Sequence, residues 1–357
     1  MKKIAKLSLV AAVAVAGLTN VNAASLEEAI KGVDVSGQFR FRVQDKQSDT
    51  AGVKSSTAAN DTDVEIEVGV KVPVTDQVTA VFKIDNASNK SDSDTSKDGI
   101  DIEDYYFSYA DSGLTVNFGQ QNIPGRLTDG KQGDGVVALY NLGAFTVGAA
   151  AFMNHNVATV NGKDAYSVIG MGNVGPVSLL AQYVDVEDVL NAYNVKADAS
   201  IEMVKIGAEY SETELDSGAT KDDRSTLKAY AAAKLGILSA KVTYAATGDN
   251  GSGTVDNQTE TQTETPAEFL LWNVGTAGKA DMDLYAIDAS VKVTDKITLR
   301  AAYADGEYGS TDTDIKETLG QVSYKVAKNL NTYLRYADVE DGTTETQRGR
   351  IEVKYSF

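Results

Sequence analysis

Apolar and polar residues take turns along almost the whole of this chain. From Val33 onward one parity is Val33, Val35, Gly37, Phe39 and Phe41, and the other is Asp34, Ser36, Gln38, Arg40 and Arg42. Val64, Ile66, Val68, Val70 and Val72 alternate with Asp63, Glu65, Glu67 and Lys71, and Tyr285, Ile287, Ala289, Val291 and Val293 with Asp288, Ser290 and Lys292. The last stretch sets Gly349, Ile351, Val353, Tyr355 and Phe357 against Arg348, Arg350, Glu352, Lys354 and Ser356. A period of two predicts β-strands with one apolar and one polar face. A soluble sandwich uses such strands, but rarely stops on one with a bare aromatic. In a membrane barrel the apolar face meets lipid and the charged face a wet lumen.

The links between strands alternate in length. Short ones fall near 73–77, 110–113, 142–144, 173–176, 198–201, 235–237, 293–296 and 327–329. Longer, Asp/Thr/Ser/Gly-rich ones fall near 44–62, 86–99, 122–134, 155–164, 186–188, 213–224, 248–281, 306–314 and 339–346. Eight short turns and nine long loops predict an antiparallel transmembrane β-barrel of eighteen strands, with both termini on the short-turn side. Sixteen is the alternative count. Tyr183, Tyr210, Tyr244, Tyr303 and Tyr336 each share the apolar parity and sit where a strand approaches a long loop. That placement predicts an aromatic girdle at one membrane interface. The simpler reading is that tyrosines favour strands, and five matches in parity and position weigh against it.

Composition narrows the class. Cysteine is absent, which removes disulfides and thiolate metal sites, and His155 is the single histidine. The formal charge is −18, unsuited to nucleic acid, whose phosphates need basic partners. At the N-terminus, Lys2, Lys3 and Lys6 precede an apolar run from Leu7 to Gly17 and the small-residue pattern Val21-Asn22-Ala23. This predicts a signal peptide over 1–23, cut after Ala23, then a short periplasmic segment 24–32 and a barrel from 33 to 357. A retained anchor is the alternative, but the run is shorter than the ~20 residues a membrane helix needs. Cleavage leaves 30 basic against 51 acidic side chains, a net of −21.

Three stretches then carry a resemblance. Ser25 to Val35 (SLEEAIKGVDV), followed by Ser36-Gly37 and Phe39-Arg40-Phe41-Arg42, resembles the mature N-terminus of the Campylobacter-type major outer-membrane porins. Phe118 to Gln121 (FGQQ) with Asp129 to Gly135 is similar to the segment entering that family's pore-folded third loop, and the KYSF ending is similar to its last strand. The resemblance implies an eighteen-stranded, homotrimeric general porin in the outer membrane, passing ions and small hydrophilic solutes. The middle loops carry no such match. Tyr355 and Phe357 also resemble the C-terminal signal that outer-membrane proteins present to the barrel insertion machinery.

Candidate functional residues follow from the lumen parity. Arg40, Arg42, Arg335, Arg348 and Arg350 lie on strands that become neighbours on closure, which predicts a basic wall. Guanidiniums facing lipid would be costly. The plainer reading pairs some of them with carboxylates, and Asp63, Glu65 and Glu67 on the second strand are the candidates. Loop 122–134 (NIPGRLTDGKQGD) is expected to fold inward, with Arg126, Asp129, Lys131 and Asp134 lining a constriction; Gly125, Gly130 and Gly133 permit the tight turns. An ordinary exposed loop is the plainer reading. The cluster Phe269-Leu270-Leu271-Trp272 is expected to pack on the barrel mouth or on a neighbouring subunit.

Acidic loops around Asp92, Asp94, Asp222, Asp223, Asp312 and Asp314 carry donors suited to Ca²⁺, but none has EF-hand spacing, so solvated loops are the plainer reading. No cofactor is required. Enzyme motifs are missing: there is no G-x-S-x-G, H-E-x-x-H or phosphate-binding loop, and neither Glu27-Glu28 nor Glu65/Glu67 supplies a buried acid. The favoured expectation is a passive diffusion channel that prefers cations. A surface adhesin or structural barrel with a plugged lumen, and a soluble secreted β-protein, are the competing readings.

Overall fold

A computed structural model describes residues 32–55, 61–86, 88–90, 99–157, 162–216, 223–255, 266, 269–309 and 313–357. The expected leader and residues 24–31 lie outside them. Eighteen strands are formed: β1 (Asp34–Thr50), β2 (Asp61–Pro73), β3 (Val78–Asp85), β4 (Asp101–Asp111), β5 (Leu114–Asn122), β6 (Gln132–Asn141), β7 (Phe145–His155), β8 (Ala165–Val174) and β9 (Val177–Val186); then β10 (Leu190–Ile201), β11 (Val204–Leu215), β12 (Arg224–Leu235), β13 (Leu238–Thr247), β14 (Met282–Lys292), β15 (Ile297–Tyr308), β16 (Thr313–Lys325), β17 (Leu330–Asp341) and β18 (Thr344–Ser356). Two short extensions, Val53–Ser55 and Ser88–Lys90, lengthen the ladder on β1 and β2.

Each strand pairs antiparallel with the next, and β18 pairs with β1, so the sheet closes without an edge. The seam register sets Phe39 opposite Tyr355, Phe41 opposite Val353 and Arg42 opposite Glu352. It ends in a reciprocal pair, where the Gly37 and Phe357 amides each donate to the other's carbonyl at 3.1 Å. The short turns are tight, although the one expected at 198–201 falls at Glu202 and Met203, after β10 ends at Ile201. Ser112 and Gly113 turn with φ of 48° and 85°, the left-handed conformations that a two-residue hairpin requires.

The two parities separate as an outer and an inner face. Phe39, Phe41, Val43, Leu334, Ile351 and Val353 are exposed on the outside, while Arg40, Arg42 and Gln44 are buried within. Tyr183, Tyr303 and Tyr336 are exposed, and Tyr210 and Tyr244 half-buried, at the loop-side ends. Several of their hydroxyls donate to nearby side chains: Tyr183 to Asn191 at 2.6 Å, Tyr210 to Glu212 at 2.6 Å and Tyr303 to Asp305 at 2.8 Å. An apolar ring body with a polar tip is what a membrane interface favours.

Two expectations need correction. The link near 339–346 is not long: β17 and β18 run to Asp341 and from Thr344, and only Gly342 and Thr343 turn. Above the girdle both strand faces meet water, so the pattern loses its apolar half and reads as loop. The same effect extends β1 to Thr50, and the 186–188 link falls one residue on, as a three-residue turn around Asp188, whose φ is 58°. Second, the inner wall is not polar throughout. Phe152, Val184, Leu190 and Ala192 form one buried apolar patch, and Leu284, Ala304, Ile315 and Val339 another. Each lies beneath a loop that enters the barrel.

Candidate functional site

The loop between β5 and β6, residues 123–131, folds inward. Ile123 and Leu127 are buried against Phe152, Val184 and their neighbours on β6–β10. The turn needs Gly125, whose φ is +130°; a Cβ there would lie 2.2 Å from the Gln182 amide. Gln182 stitches the turn to β9: its Oε1 accepts from the Leu127 amide at 2.9 Å, and its Nε2 donates to Thr128 at 2.9 Å and to the Pro124 carbonyl at 3.2 Å.

Arg126 reaches β11. Its Nε and Nη2 each donate to a different Glu209 oxygen at 2.9 Å, a bidentate fork. Lys228 on β12 lies 3.2 Å from the same carboxylate, and Asn194 donates to it at 3.1 Å. Asp129 and Lys131 remain half-buried on the loop. Asp134 does not join them. Strand β6 begins at Gln132, so Asp134 takes the outward parity, where exposed Tyr105 donates to it at 3.3 Å.

The five arginines share the inner face but divide into two groups. Arg40 lies between Asp63, at 3.5 Å, and Glu65, and Arg42 bridges Asp63 at 3.3 Å and Glu352 at 2.5 Å. Glu67 turns instead to Lys83 at 3.3 Å, which also meets Glu103 at 2.7 Å. The other group, Arg335, Arg348 and Arg350, gathers around Trp272.

Trp272 comes from the loop between β13 and β14, whose segment 269–281 enters the barrel. The apolar cluster therefore packs inside the mouth, with Leu271 and Trp272 against Ala302, Leu319 and Ala337. The hairpin is fastened by Glu317 on β16, a fully buried carboxylate. It accepts the backbone amides of Trp272 at 3.3 Å, Asn273 at 2.8 Å and Val274 at 2.9 Å, and the Asn273 side chain at 2.9 Å. Glu209, Glu317, Gln182, Lys228 and Gln44 were not singled out by sequence reasoning. Each occupies an ordinary inward position, and nothing local marks it.

Among the described residues no cluster of three or more metal-ligating side chains occurs. Asp92, Asp94, Asp222 and Asp312 lie outside those residues.

Residues 1–294 match the Campylobacter major outer membrane protein family. The chain belongs to it. Membership, with the closed barrel, places this family member in the bacterial outer membrane as a porin, its aromatic-belted outer face toward lipid. No curated protein matches the sequence. Solved porins share the fold at low identity. A BenF-like porin from Pseudomonas fluorescens Pf-5 aligns with TM-score 0.75 and 12% identity, over 92% of this chain and 99% of that one. OccK8 (OprE) of Pseudomonas aeruginosa aligns with TM-score 0.70 and 12% identity, over 91% and 98%. OpdK of Pseudomonas aeruginosa, solved with vanillate, gives TM-score 0.70 and 12% identity, over 92% and 99%. Family and fold are those of a channel.

Proposed function

We propose that this outer-membrane porin is a general diffusion channel for ions and small hydrophilic solutes, with cations preferred. The observation that carries the reading is a closed barrel with a charged inner wall, narrowed by two loops folded inside it. Charges of both signs around a wet gap order water and sort solutes by charge. Among the described residues, strands β1–β4 bring Asp63, Glu65, Glu67, Asp85, Glu103 and Asp104 together with Arg40, Arg42, Lys71 and Lys83. That excess of carboxylates and the overall charge of −18 support the cation preference.

The line-up of Arg126, Asp129 and Lys131 on the inward loop supports their role as constriction residues, with Arg40, Arg42, Arg335, Arg348 and Arg350 lining the wall. Homotrimeric assembly belongs to the same proposal, on the family's resemblance to general porins. So does an assembly role for Tyr355 and Phe357, which stack with ring centres 6.0 Å apart on the outer face. Deleting Phe357 is expected to lower the surface level of the protein while leaving the conductance of inserted channels unchanged; normal surface levels would remove that role.

The two inward loops also favour a second reading, a barrel with an occluded lumen. Purified protein in a planar bilayer under a KCl gradient separates them. Discrete, weakly voltage-dependent current steps with a reversal potential on the cation side are expected. Silence supports the plug, and a reversal potential on the anion side removes the selectivity.

A further inference from the structure

His155, the single histidine of the chain, closes β7 and takes no part in the charged wall. Both ring nitrogens are engaged. Nδ1 lies 3.3 Å from the Val157 amide, and Nε2 lies 3.1 Å from the Lys163 carbonyl. A backbone N–H only donates and a carbonyl only accepts, so Nδ1 is a bare acceptor and Nε2 carries the hydrogen. The two bonds together require a neutral imidazole.

What the ring holds bears on the pore. Val157 is fully buried and shares one apolar cluster with Ile123 and Leu127 of the inward loop and Phe152 of β7. Beside it, the Asn156 amide donates to the Gln132 carbonyl at 3.1 Å, and the Gln132 amide donates to Asn156 Oδ1 at 2.7 Å. Gln132 is where the inward loop returns to the wall as β6. Residues 155–157 are thus fastened to the apolar seat of that loop and to its exit.

We propose that His155 is a proton-operated latch on the inward loop. A further proton enters the ring only at Nδ1, which turns the acceptor of the Val157 amide into a donor. Two N–H groups then face each other, and a buried amide is left without a partner. Release of residues 155–157 lets water satisfy both. The latched form binds one proton fewer than the released form, so the latch is firm at high pH and fails as pH falls. Failure begins at about pH 6.5, where a freed imidazole takes up its proton.

The neighbouring charges do not reverse that sign. Lys163 and Asp164 lie on the same link, Glu187 and Asp188 on the β9–β10 turn, and Asp134 on β6. Lys163 is paired with Asp188 at 2.5 Å, the Glu187 amide donates to the Asp164 carbonyl at 3.0 Å, and Asp134 accepts from Asn154 at 3.1 Å. The ring stands on the loop side of the last β7–β8 pair, Phe152 with Ala165, clear of the membrane-spanning part of the barrel. There burial disfavours the charged ring more than Asp164 favours it. A wider passage in acid rests on the diffusion reading above; the latch itself does not.

Hydrogen exchange of the full, detergent-solubilised and heat-modifiable protein, read by mass spectrometry from pH 8 to pH 5, tests the latch. The comparison is H155Q, whose side-chain amide offers an acceptor and a donor but no titrating proton. Comparing the two proteins at one pH cancels the intrinsic pH dependence of exchange. Equal exchange is expected at pH 8. Toward pH 5, peptides covering 150–157 and 123–131 should exchange faster in the parent, the difference growing by up to about tenfold per pH unit for one linked proton. With one histidine in the chain, the imidazole resonance of histidine-labelled protein gives the ring's own titration, and its midpoint should match that of exchange. Equal exchange of the two proteins at pH 5, or midpoints that disagree, would overturn the latch. A response at 150–157 without one at 123–131 would overturn its hold on the inward loop. If H155Q exchanges fast at every pH, the match of the parent's two midpoints decides. In planar bilayers the parent, and not H155Q, should give larger and noisier current steps at pH 5. Silence there with the expected exchange sinks the diffusion reading and leaves the latch standing.

Discussion

The loop at 123–131 brings a charge to the barrel wall, whereas the hairpin at 269–281 brings its backbone. In the first, Arg126 supplies a cation to Glu209, and Lys228 adds a second to the same carboxylate. In the second, Glu317 has no lysine or arginine within ion-pair distance among the described residues. Three consecutive amides and one side-chain amide take the place of a counter-ion. Both wall carboxylates are almost completely buried. A buried carboxylate must be paired or hydrogen-bonded, and these two loops use one solution each. The difference teaches that the first loop depends on an ion triad that fails as a unit. The second rests on several separable bonds, none of which is decisive alone.

The strongest way to break that comparison is E209Q. The substitution keeps the volume but leaves Arg126 and Lys228, whose side chains are 11% and 4% exposed, without their common anion. Removing one partner of a buried ion pair costs about 3–5 kcal/mol, because the remaining charge stays desolvated. The loop at 123–131 is expected to leave the wall, giving larger and noisier single-channel currents in a barrel that retains its heat-modifiable mobility. Currents indistinguishable from the parent's would show that Gln182 and the apolar contacts of Ile123 and Leu127 suffice.

Much of this architecture was legible beforehand. The alternation marks the strands because lipid and water impose opposite demands on successive side chains, and the short breaks between alternating runs mark most of the tight turns. The inward course expected of loop 122–134 rests on its glycines, its position after the fifth strand and the family resemblance. Pairing of Arg40 and Arg42 with Asp63 and Glu65 was anticipated from their facing strands. Three things were hidden, each for a physical reason. Strand ends above the girdle lose their apolar face, so the adjoining ends of β17 and β18 read as loop. Asp134 was assigned inward because β6 begins before it, and one step of a strand reverses the face. Glu209 and Glu317 look like any other inward polar residue, since what sets them apart is a partner 83 or 43 residues away in sequence.

A gentler substitution, N273A, tests whether the second attachment really is distributed. It removes the side-chain amide from Glu317 and the Oδ1 acceptor from Arg348, and leaves the backbone amides of residues 272–274 in place. A hydrogen bond to a charged group is worth about 1.5–3 kcal/mol, so one is lost while three remain. The hairpin is expected to stay inside the barrel, with mean conductance near the parent's and only a modest rise in current noise. The fluorescence of Trp272 should keep its buried, blue-shifted maximum. A red shift to a water-exposed value, together with a conductance gain as large as that of E209Q, would mean that the side chain of Asn273 and not the backbone holds the hairpin. The two loops would then be fastened alike, each by a single residue.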